Sequence, residues 1–244
     1  MSRHALWWLA TVPLLPLALP LAVHTRRTAL RLPIAQGEPA GVAGADLPGE
    51  PLRLLLLGES TVAGVGVESV DLALASCLAG ALAERLRRPV RWRACGENGI
   101  TAAQAHERLL PLGLAEPADL ALLVFGVNDT THLTTSRRWV QSLARMAEAL
   151  EGEGCRVAFS AVPPLQHFSA LPWLLRQLMG WRASLLDREL QGLARRLGAL
   201  HCVLDLPFEP AYLAEDGYHP SALGYRQWAD GLAERLIPSL QRPV

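Results

Sequence analysis

The feature that most constrains the fold is a regular alternation of short apolar runs with longer helical patterns after residue 50. The apolar runs cover residues 52–57, 90–94, 120–125, 156–162 and 201–204. Helical spacing of apolar residues covers residues 70–88, 136–150, 187–197 and 223–236. Strands separated by helices predict a parallel sheet, because parallel strands need long crossover connections. We therefore expect an α/β protein with five strands and helices on both faces of the sheet.

A second apolar segment precedes this region and has a different character. Residues 5–23 contain no charged side chain, and 19 residues of helix are about 28 Å long, close to the thickness of a bilayer core. Residues 1–27 are thus predicted to be a membrane anchor or a signal segment. We favour an anchor, because no A-x-A cleavage site precedes His24 and Arg26 and Arg27 follow at once.

The flanking charges bear on the membrane side of this bacterial-type anchored protein, and both sides stay open as alternatives. Arg3 precedes the apolar segment, whereas Arg26, Arg27 and Arg31 follow it. The positive-inside tendency favours a domain on the cytoplasmic face, and cleavage of a signal peptide would instead mean export. Residues 28–50 are rich in glycine, proline and alanine and are predicted to be a linker, which leaves residues 51–244 as the folded domain.

Composition excludes several classes of function. The chain has no lysine, which removes Schiff-base chemistry, pyridoxal phosphate enzymes and the phosphate-binding P-loop. Its 23 basic and 23 acidic residues balance, so nothing in the net charge indicates nucleic-acid binding. The four cysteines lack C-x-x-C spacing and a nearby pair of histidines, so we predict no zinc site.

The turns after the predicted strands carry the candidate chemistry, because ligands of parallel sheets bind beyond the carboxyl ends of the strands. The first strand leads into Gly58-Glu59-Ser60, where a serine near a helix N-terminus favours a developing negative charge. The G-x-S-x-G elbow is absent, because Val62 stands where its second glycine is needed. Helix capping by Ser60 is the structural alternative.

Two further turns add possible partners for this serine. Asn98 and Asn128, the two asparagines of the chain, both follow strands, and the carboxamide of Asn128 suits an oxyanion. Ordinary turn formation is the alternative, particularly at Asn98. Near the C-terminus, Pro220 keeps His219 in an extended loop, and Asp216 is close enough in sequence to orient its imidazole. An incidental surface histidine is the alternative there.

Taken together, these blocks resemble the SGNH or GDSL-type hydrolase superfamily. The match comprises Gly58-Glu59-Ser60, Gly99, Gly126-x-Asn128-Asp129 and Asp216-x-x-His219, in the family's order. The resemblance implies a three-layer α/β/α, flavodoxin-like fold with a five-stranded parallel sheet and no cofactor. It also implies Ser60 as nucleophile, His219 as base and Asp216 as its orienting acid. The implied oxyanion donors are Ser60, Gly99 and Asn128, and Glu59 replaces the family's usual aspartate.

The resulting functional hypothesis is a membrane-anchored serine esterase that forms an acyl-serine intermediate. A lysophospholipid or another acyl ester fits the anchor as a substrate. The alternatives are a carbohydrate O-acetyl esterase or acyltransferase, which uses the same triad, and a catalytically silent membrane-tethered binding module, which Glu59 motivates. Residues 163–173 are interpreted either as a wall of the acyl pocket or as an ordinary crossover loop.

Overall fold

The computed structural model describes residues 2–204 and 206–241. Its helices and strands follow one another along the chain in the order α1 (Arg3–Thr11), α2 (Leu15–Thr28), β1 (Ala40–Ala43), β2 (Leu52–Gly58), α3 (Leu74–Leu86), β3 (Val90–Gly96), α4 (Ala102–Arg108), α5 (Leu110–Gly113), β4 (Leu120–Val124), α6 (Val127–Thr131), α7 (Ser136–Gly152), β5 (Arg156–Ser160), α8 (Trp173–Leu197), β6 (Leu200–Cys202) and α9 (Ala222–Leu240). Short 3₁₀ turns lie at Val12–Leu14, Val70–Leu72, Leu165–His167 and Pro210–Tyr212.

The sheet confirms the predicted α/β architecture and adds one strand. Its order is β1-β3-β2-β4-β5-β6, and β2 to β6 are mutually parallel. The five parallel strands have the flavodoxin-like order, in which the first strand of the set lies between the second and the third. This order places the ends of β3 and β4 on either side of the end of β2.

The sixth strand, β1, lies inside the stretch predicted to be a linker. Ala40–Ala43 pairs antiparallel with the outer edge of β3, from Ala40 opposite Arg93 to Ala43 opposite Val90. The small residues of this stretch show no strand periodicity, so composition alone favours a linker. They suit this edge because a Cβ on Gly41 would lie 3.0 Å from the ring of Trp92.

Helices cover both faces of the sheet because the strands are apolar on both sides. In β2, Leu55 and Leu57 face α4, α7 and α8, whereas Leu54 and Leu56 face α3 and α9. All four leucines are buried, as expected for a central strand between two layers of helices. The result is a three-layer α/β/α domain with one hydrophobic core on each face.

The N-terminal apolar segment is helical from Arg3 to Thr28 and passes through the 3₁₀ turn at Val12–Leu14. Within it, an 18-residue window has a mean hydropathy of 1.8, so the helix is long and apolar enough to cross a membrane. Some helices extend further than predicted: α8 begins at Trp173, where we expected a helix from residue 187. Three short helices, α4, α5 and α6, were not predicted.

Candidate active site

Ser60 lies in the tight turn that follows β2, at the centre of the carboxyl edge of the sheet. The N–H of Glu59 donates to the carbonyl of Val124 at 3.1 Å, and the N–H of Val62 donates back to the carbonyl of Glu59 at 3.0 Å. A Cβ on Gly58 would lie 2.6 Å from the carbonyl oxygen of Val124. The glycine is therefore needed for β2 to pack this closely against β4 just before the serine.

His219 reaches Ser60 from the loop before α9. Its Nε2 lies 2.9 Å from Ser60 Oγ, and its Nδ1 lies 2.6 Å from Asp216 Oδ2. The other oxygen of Asp216 accepts the N–H groups of Tyr218 and His219, at 2.9 and 3.0 Å. These contacts assign Nδ1 as the protonated nitrogen and leave Nε2 to accept the serine proton. The structure thus brings the three predicted residues into one hydrogen-bonded chain.

The carboxyl of Asp216 stays ionised in this arrangement. Its burial alone would raise its pKa, but hydrogen bonds from the side chain and N–H of His219 and from the N–H of Tyr218 outweigh burial. The net result is a pKa below the ordinary value. A carboxylate in this position favours the imidazolium that forms when His219 takes a proton.

The predicted oxyanion donors lie in the turns on either side of Ser60. Gly58 is in register with Gly96 of β3 and with Val124 of β4, so the turns that follow these strands are neighbours. One N–H of the Asn128 carboxamide donates to the carbonyl of Ile100 at 3.0 Å, which ties Asn128 to the turn of Gly99. Among the residues that the structure describes, none accepts its second N–H.

Two backbone groups complete this set of donors. Within the described residues, no acceptor takes the N–H of Ser60 or that of Gly99. Gly99 has a φ of 83°, a conformation that favours glycine, and a side chain there would point into open space. Unpaired N–H groups at the edge of an active site are available for a developing oxyanion.

Glu59 has a structural role that sequence reasoning missed. Its carboxyl is buried and accepts hydrogen bonds from the N–H of Gly126 and, at 3.0 Å, from the N–H of Asn128. The longer side chain thus joins the turn of Ser60 to the turn of Asn128. Burial and then the nearby Asp129 raise the pKa of Glu59 to about 8, although N–H donors from Gly126, Asn128 and Val127 oppose the shift.

Two more buried residues, Asp129 and Arg182, make hydrogen bonds around the turn of Asn128. Asp129 is fully buried and accepts the N–H of Ala102 at 2.8 Å, which fixes the start of α4. Arg182 of α8 is also buried, and it donates to the carbonyls of Thr130 at 3.2 Å and Thr134 at 2.6 Å. The available sequence signal was an arginine within the largely apolar stretch 178–186, but the helix was predicted to begin after it, at residue 187.

An apolar cavity opens beside Ser60 and His219. The stretch 163–173, predicted either as a pocket wall or as a crossover loop, contributes Pro163 and Phe168 to the cavity. The ring of Phe168 meets that of Tyr218 edge to face, with centroids 4.9 Å apart. A second wall, which we did not predict, comes from the chain after β6 through Leu204, Leu206, Phe208 and Leu213.

The fold and this site define the class of protein: an α/β/α protein of the SGNH hydrolase type, with a serine, a histidine and an aspartate at the carboxyl edge of the sheet. The family model for the GDSL-like Lipase/Acylhydrolase family matches residues 56–227, and the chain belongs to that family. The resemblance seen in the four sequence blocks is confirmed.

Individual relatives agree with this assignment. A GDSL-like esterase of Mycobacterium tuberculosis is 27% identical over an alignment of 205 residues, and the alignment covers 79% of this chain and 65% of the relative. The chain therefore spans just under two thirds of that relative's length.

Solved structures show the same fold. A lipase/acylhydrolase from Enterococcus faecalis superposes with a TM-score of 0.62 at 22% identity, covering 77% of this chain and 96% of its own. An esterase from Pseudoalteromonas sp., solved in a form inhibited by monoethylphosphonate, superposes with a TM-score of 0.63 at 15% identity, covering 78% of this chain and 99% of its own.

Proposed function

We propose that this chain is a serine esterase that hydrolyses carboxylic esters through an acyl-serine intermediate. The observation that carries the proposal is the chain of contacts from Ser60 Oγ to His219 Nε2, at 2.9 Å, and from His219 Nδ1 to Asp216 Oδ2, at 2.6 Å. A hydroxyl this close to an oriented imidazole can lose its proton as it attacks a carbonyl carbon. The family's esterases support the same reaction class.

The proposed reaction has two balanced steps. Ser60 Oγ attacks the ester carbonyl while His219 takes its proton, and the oxyanion accepts hydrogen bonds from Ser60 N–H, Gly99 N–H and the Asn128 amide. Collapse expels the alcohol, which receives the proton from His219, and leaves an acyl-Ser60 ester. A water molecule then attacks this ester as His219 takes its proton. The carboxylic acid leaves, and the proton on His219 returns to Ser60.

The acyl side of the substrate is proposed to occupy the cavity beside Ser60. Its lining is mostly apolar and aromatic, which favours a hydrocarbon chain over a sugar. The apolar N-terminal helix supports membrane association. An acyl ester presented at a lipid surface, such as a lysophospholipid, would suit both the apolar cavity and this helix.

The test of the catalytic proposal uses the full chain in detergent micelles with a p-nitrophenyl ester and a fluorophosphonate probe. We expect Ser60→Ala to lower kcat by at least about 10⁴-fold and to abolish labelling, because the nucleophile is lost. Ser184→Ala is the matched control, since its hydroxyl is exposed on α8 and bonds to its own helix. Equal labelling of wild type and Ser60→Ala would show that Ser60 is not the nucleophile.

A panel of esters of increasing acyl length tests the substrate proposal separately. We expect activity on medium or long acyl chains, because the cavity beside Ser60 is lined by apolar side chains. Activity confined to acetylated carbohydrates would instead favour the O-acetyl esterase alternative. Labelling of Ser60 by the fluorophosphonate would eliminate the silent binding module.

A further inference from the structure

One face of the N-terminal helix is packed against the protein along its whole length. Buried or half-buried residues recur at alternating intervals of three and four positions, and the residues beside them are mostly exposed. This spacing describes a single stripe along a helix. The stripe consists of His4, Trp7, Thr11, Leu14, Ala18, Leu21 and Thr25.

The surface beneath the stripe is α8. Trp7 is 1% exposed, its indole N–H donates to the carbonyl of Leu178 at 2.9 Å, and the guanidinium of Arg182 lies 4.9 Å from its ring centroid. His4 Nε2 lies 3.3 Å from Glu189 Oε1, at the far end of the contact. These are specific polar contacts as well as apolar ones, so the helix has one defined position on α8.

The contacts with α8 are spread along the N-terminal helix. His4 meets Glu189, Trp7 lies at Leu178 and Arg182, and Ala18 packs with Leu175 and Leu178. From residue 4 to residue 18 these contacts cover about 21 Å of the N-terminal helix. The docked helix thus lies lengthwise along the catalytic domain and does not project from it.

This position is incompatible with crossing a bilayer. Along the same stretch α8 carries charged side chains, which are costly in hydrocarbon. If the N-terminal helix crossed the membrane while docked on α8, the charged side chains of α8 and the adjoining domain would have to enter the bilayer core. These charged residues of α8 are Arg176, Arg182, Asp187, Arg188 and Glu189.

The outer face of the docked helix has the chemistry of a lipid contact. It exposes apolar residues such as Leu17, at 64%, and Trp8, at 41%. Trp173, the first residue of α8, is 67% exposed. The helix ends carry Arg3, Arg26 and Arg27, and the first acidic residue of the chain is Glu38, so the segment is cationic. Apolar side chains, exposed tryptophans and arginines together suit an interface with anionic lipids.

We infer that the helix Arg3–Thr28 stays docked on α8 in the mature protein and lies flat in one leaflet of an anionic lipid bilayer, without crossing it. The inference rests on the proposed membrane association and specifies its geometry. The docked helix also contacts the substrate side of the domain. Leu171, whose N–H donates to the carbonyl of Phe168 in the pocket wall, packs against the same apolar cluster as the helix.

Two neighbouring tryptophans provide a matched test. Trp7 is buried against α8, whereas Trp8 is 41% exposed and meets the protein through the edge of the Trp7 ring. Trp8→Ala therefore removes an exposed ring while Trp7 keeps its contacts with α8, so the two alanine variants separate docking from lipid contact. We expect Trp7→Ala to lower the Tm of the full chain in detergent by about 5 °C or more, because a buried indole is lost. Trp8→Ala should leave the Tm within about 2 °C and weaken binding to phosphatidylcholine–phosphatidylglycerol vesicles at least about threefold. Equal, small effects on Tm would overturn the docking.

Topology in the membrane is measured independently of folding. Ser2→Cys and Glu234→Cys variants, expressed in a bacterial host, are labelled with a membrane-impermeant maleimide in sealed vesicles of each orientation. Glu234 is an exposed position on α9, and the wild type gives the background from the native cysteines. We expect both positions to react in the same vesicle orientation, since a flat helix leaves the N-terminus and the domain on one side.

The other outcomes each overturn a different statement. Labelling of the two positions in opposite orientations would mean that the helix crosses the bilayer. Flat docking would then be wrong while membrane association stands. Absence of the protein from the membrane fraction, or an intact mass that lacks the helix, would remove the membrane association itself. Neither result bears on esterase activity, which the fluorophosphonate assay measures.

Discussion

At the scale of single residues, Glu59 links two turns that lie far apart in sequence. Its carboxyl leaves the end of β2 and accepts N–H groups from Gly126 and Asn128, which follow β4. The carboxyl is buried beside a second acidic residue, Asp129, and both conditions disfavour its charged form. The backbone donors oppose this effect without cancelling it.

The raised pKa of Glu59 predicts a pH dependence of stability. With a pKa that rises from 4.5 in the unfolded chain to about 8 in the fold, the folded state binds the extra proton across this interval. The contribution of Glu59 to the free energy of unfolding should therefore be fully present below pH 4.5 and should be lost as the pH rises through 8. Glu59→Gln cannot titrate, so its denaturation midpoint should fall less between pH 5 and pH 8.5.

The measurement is urea denaturation of both proteins across this pH range. Glu107→Gln, which replaces an exposed carboxyl on α4, is the matched control and should follow the wild-type curve. Parallel curves for wild type and Glu59→Gln would contradict the assignment of the pH dependence to Glu59.

The candidate site residues themselves could be predicted from sequence for a simple geometric reason. Ser60, Gly99 and Asn128 all follow strands, and parallel strands end at one edge, so the order of turns along the chain brings them together. The bracing contacts could not be predicted. Glu59 reaches residues 67 and 69 positions away, and Arg182 reaches Thr130 from 52 positions away, distances at which no local pattern operates.

At the scale of secondary structure, the close approach of β3 to the turn after Ser60 depends on Gly96. A Cβ at this position would lie 2.3 Å from the backbone nitrogen of Ala63, closer than any side chain tolerates. We expect Gly96→Ala to lower both the free energy of unfolding, by at least about 2 kcal/mol, and kcat, because the turn that holds Ser60 must shift.

Gly80 provides the matched control for that substitution. It lies inside α3, and a Cβ there meets no atom within 4 Å. Gly80→Ala should stabilise the protein by about 0.5–1 kcal/mol through helix propensity, with kcat unchanged. Urea denaturation and ester hydrolysis measure both variants. Wild-type stability and activity in Gly96→Ala would show that the turn is not packed as described.

Sequence analysis predicted the helices and strands whose conformation is determined by their own residues. Leucine-rich β2 is buried on both faces, so its apolar run is unbroken apart from Arg53. The first half of α8 was missed because it follows Pro172 and contains Gly180, both signals of a loop. Gly180 is instead required by packing, since a Cβ there would lie 2.8 Å from the backbone nitrogen of Gln166.

At the scale of the whole molecule, the central strand belongs to two cores at once. Leu55 packs with α7 and α8, and its neighbour Leu56 packs with α3 and α9. If the sheet couples the two cores, Leu55→Ala and Leu56→Ala should each cost about 2–5 kcal/mol and should each lower the midpoint of one shared transition.

The comparison is made by urea denaturation followed through tryptophan fluorescence and circular dichroism. Val42→Ala, at an exposed site on β1, should cost less than about 1 kcal/mol and serves as the control. Separate transitions for the two optical probes in either leucine variant would indicate that the two faces unfold independently.

The short strand β1 has a consequence for self-association. It covers the outer edge of β3, a seven-residue strand that would otherwise present unpaired backbone groups to other molecules. Uncovered edges recruit strands from neighbouring chains and lead to aggregation. A fragment that starts at Pro51, where composition places the start of the domain, lacks β1. Its β3 edge therefore exposes backbone N–H and carbonyl groups that can pair with a strand of another molecule. One that starts before Ala35 keeps the protective strand and so keeps this edge covered.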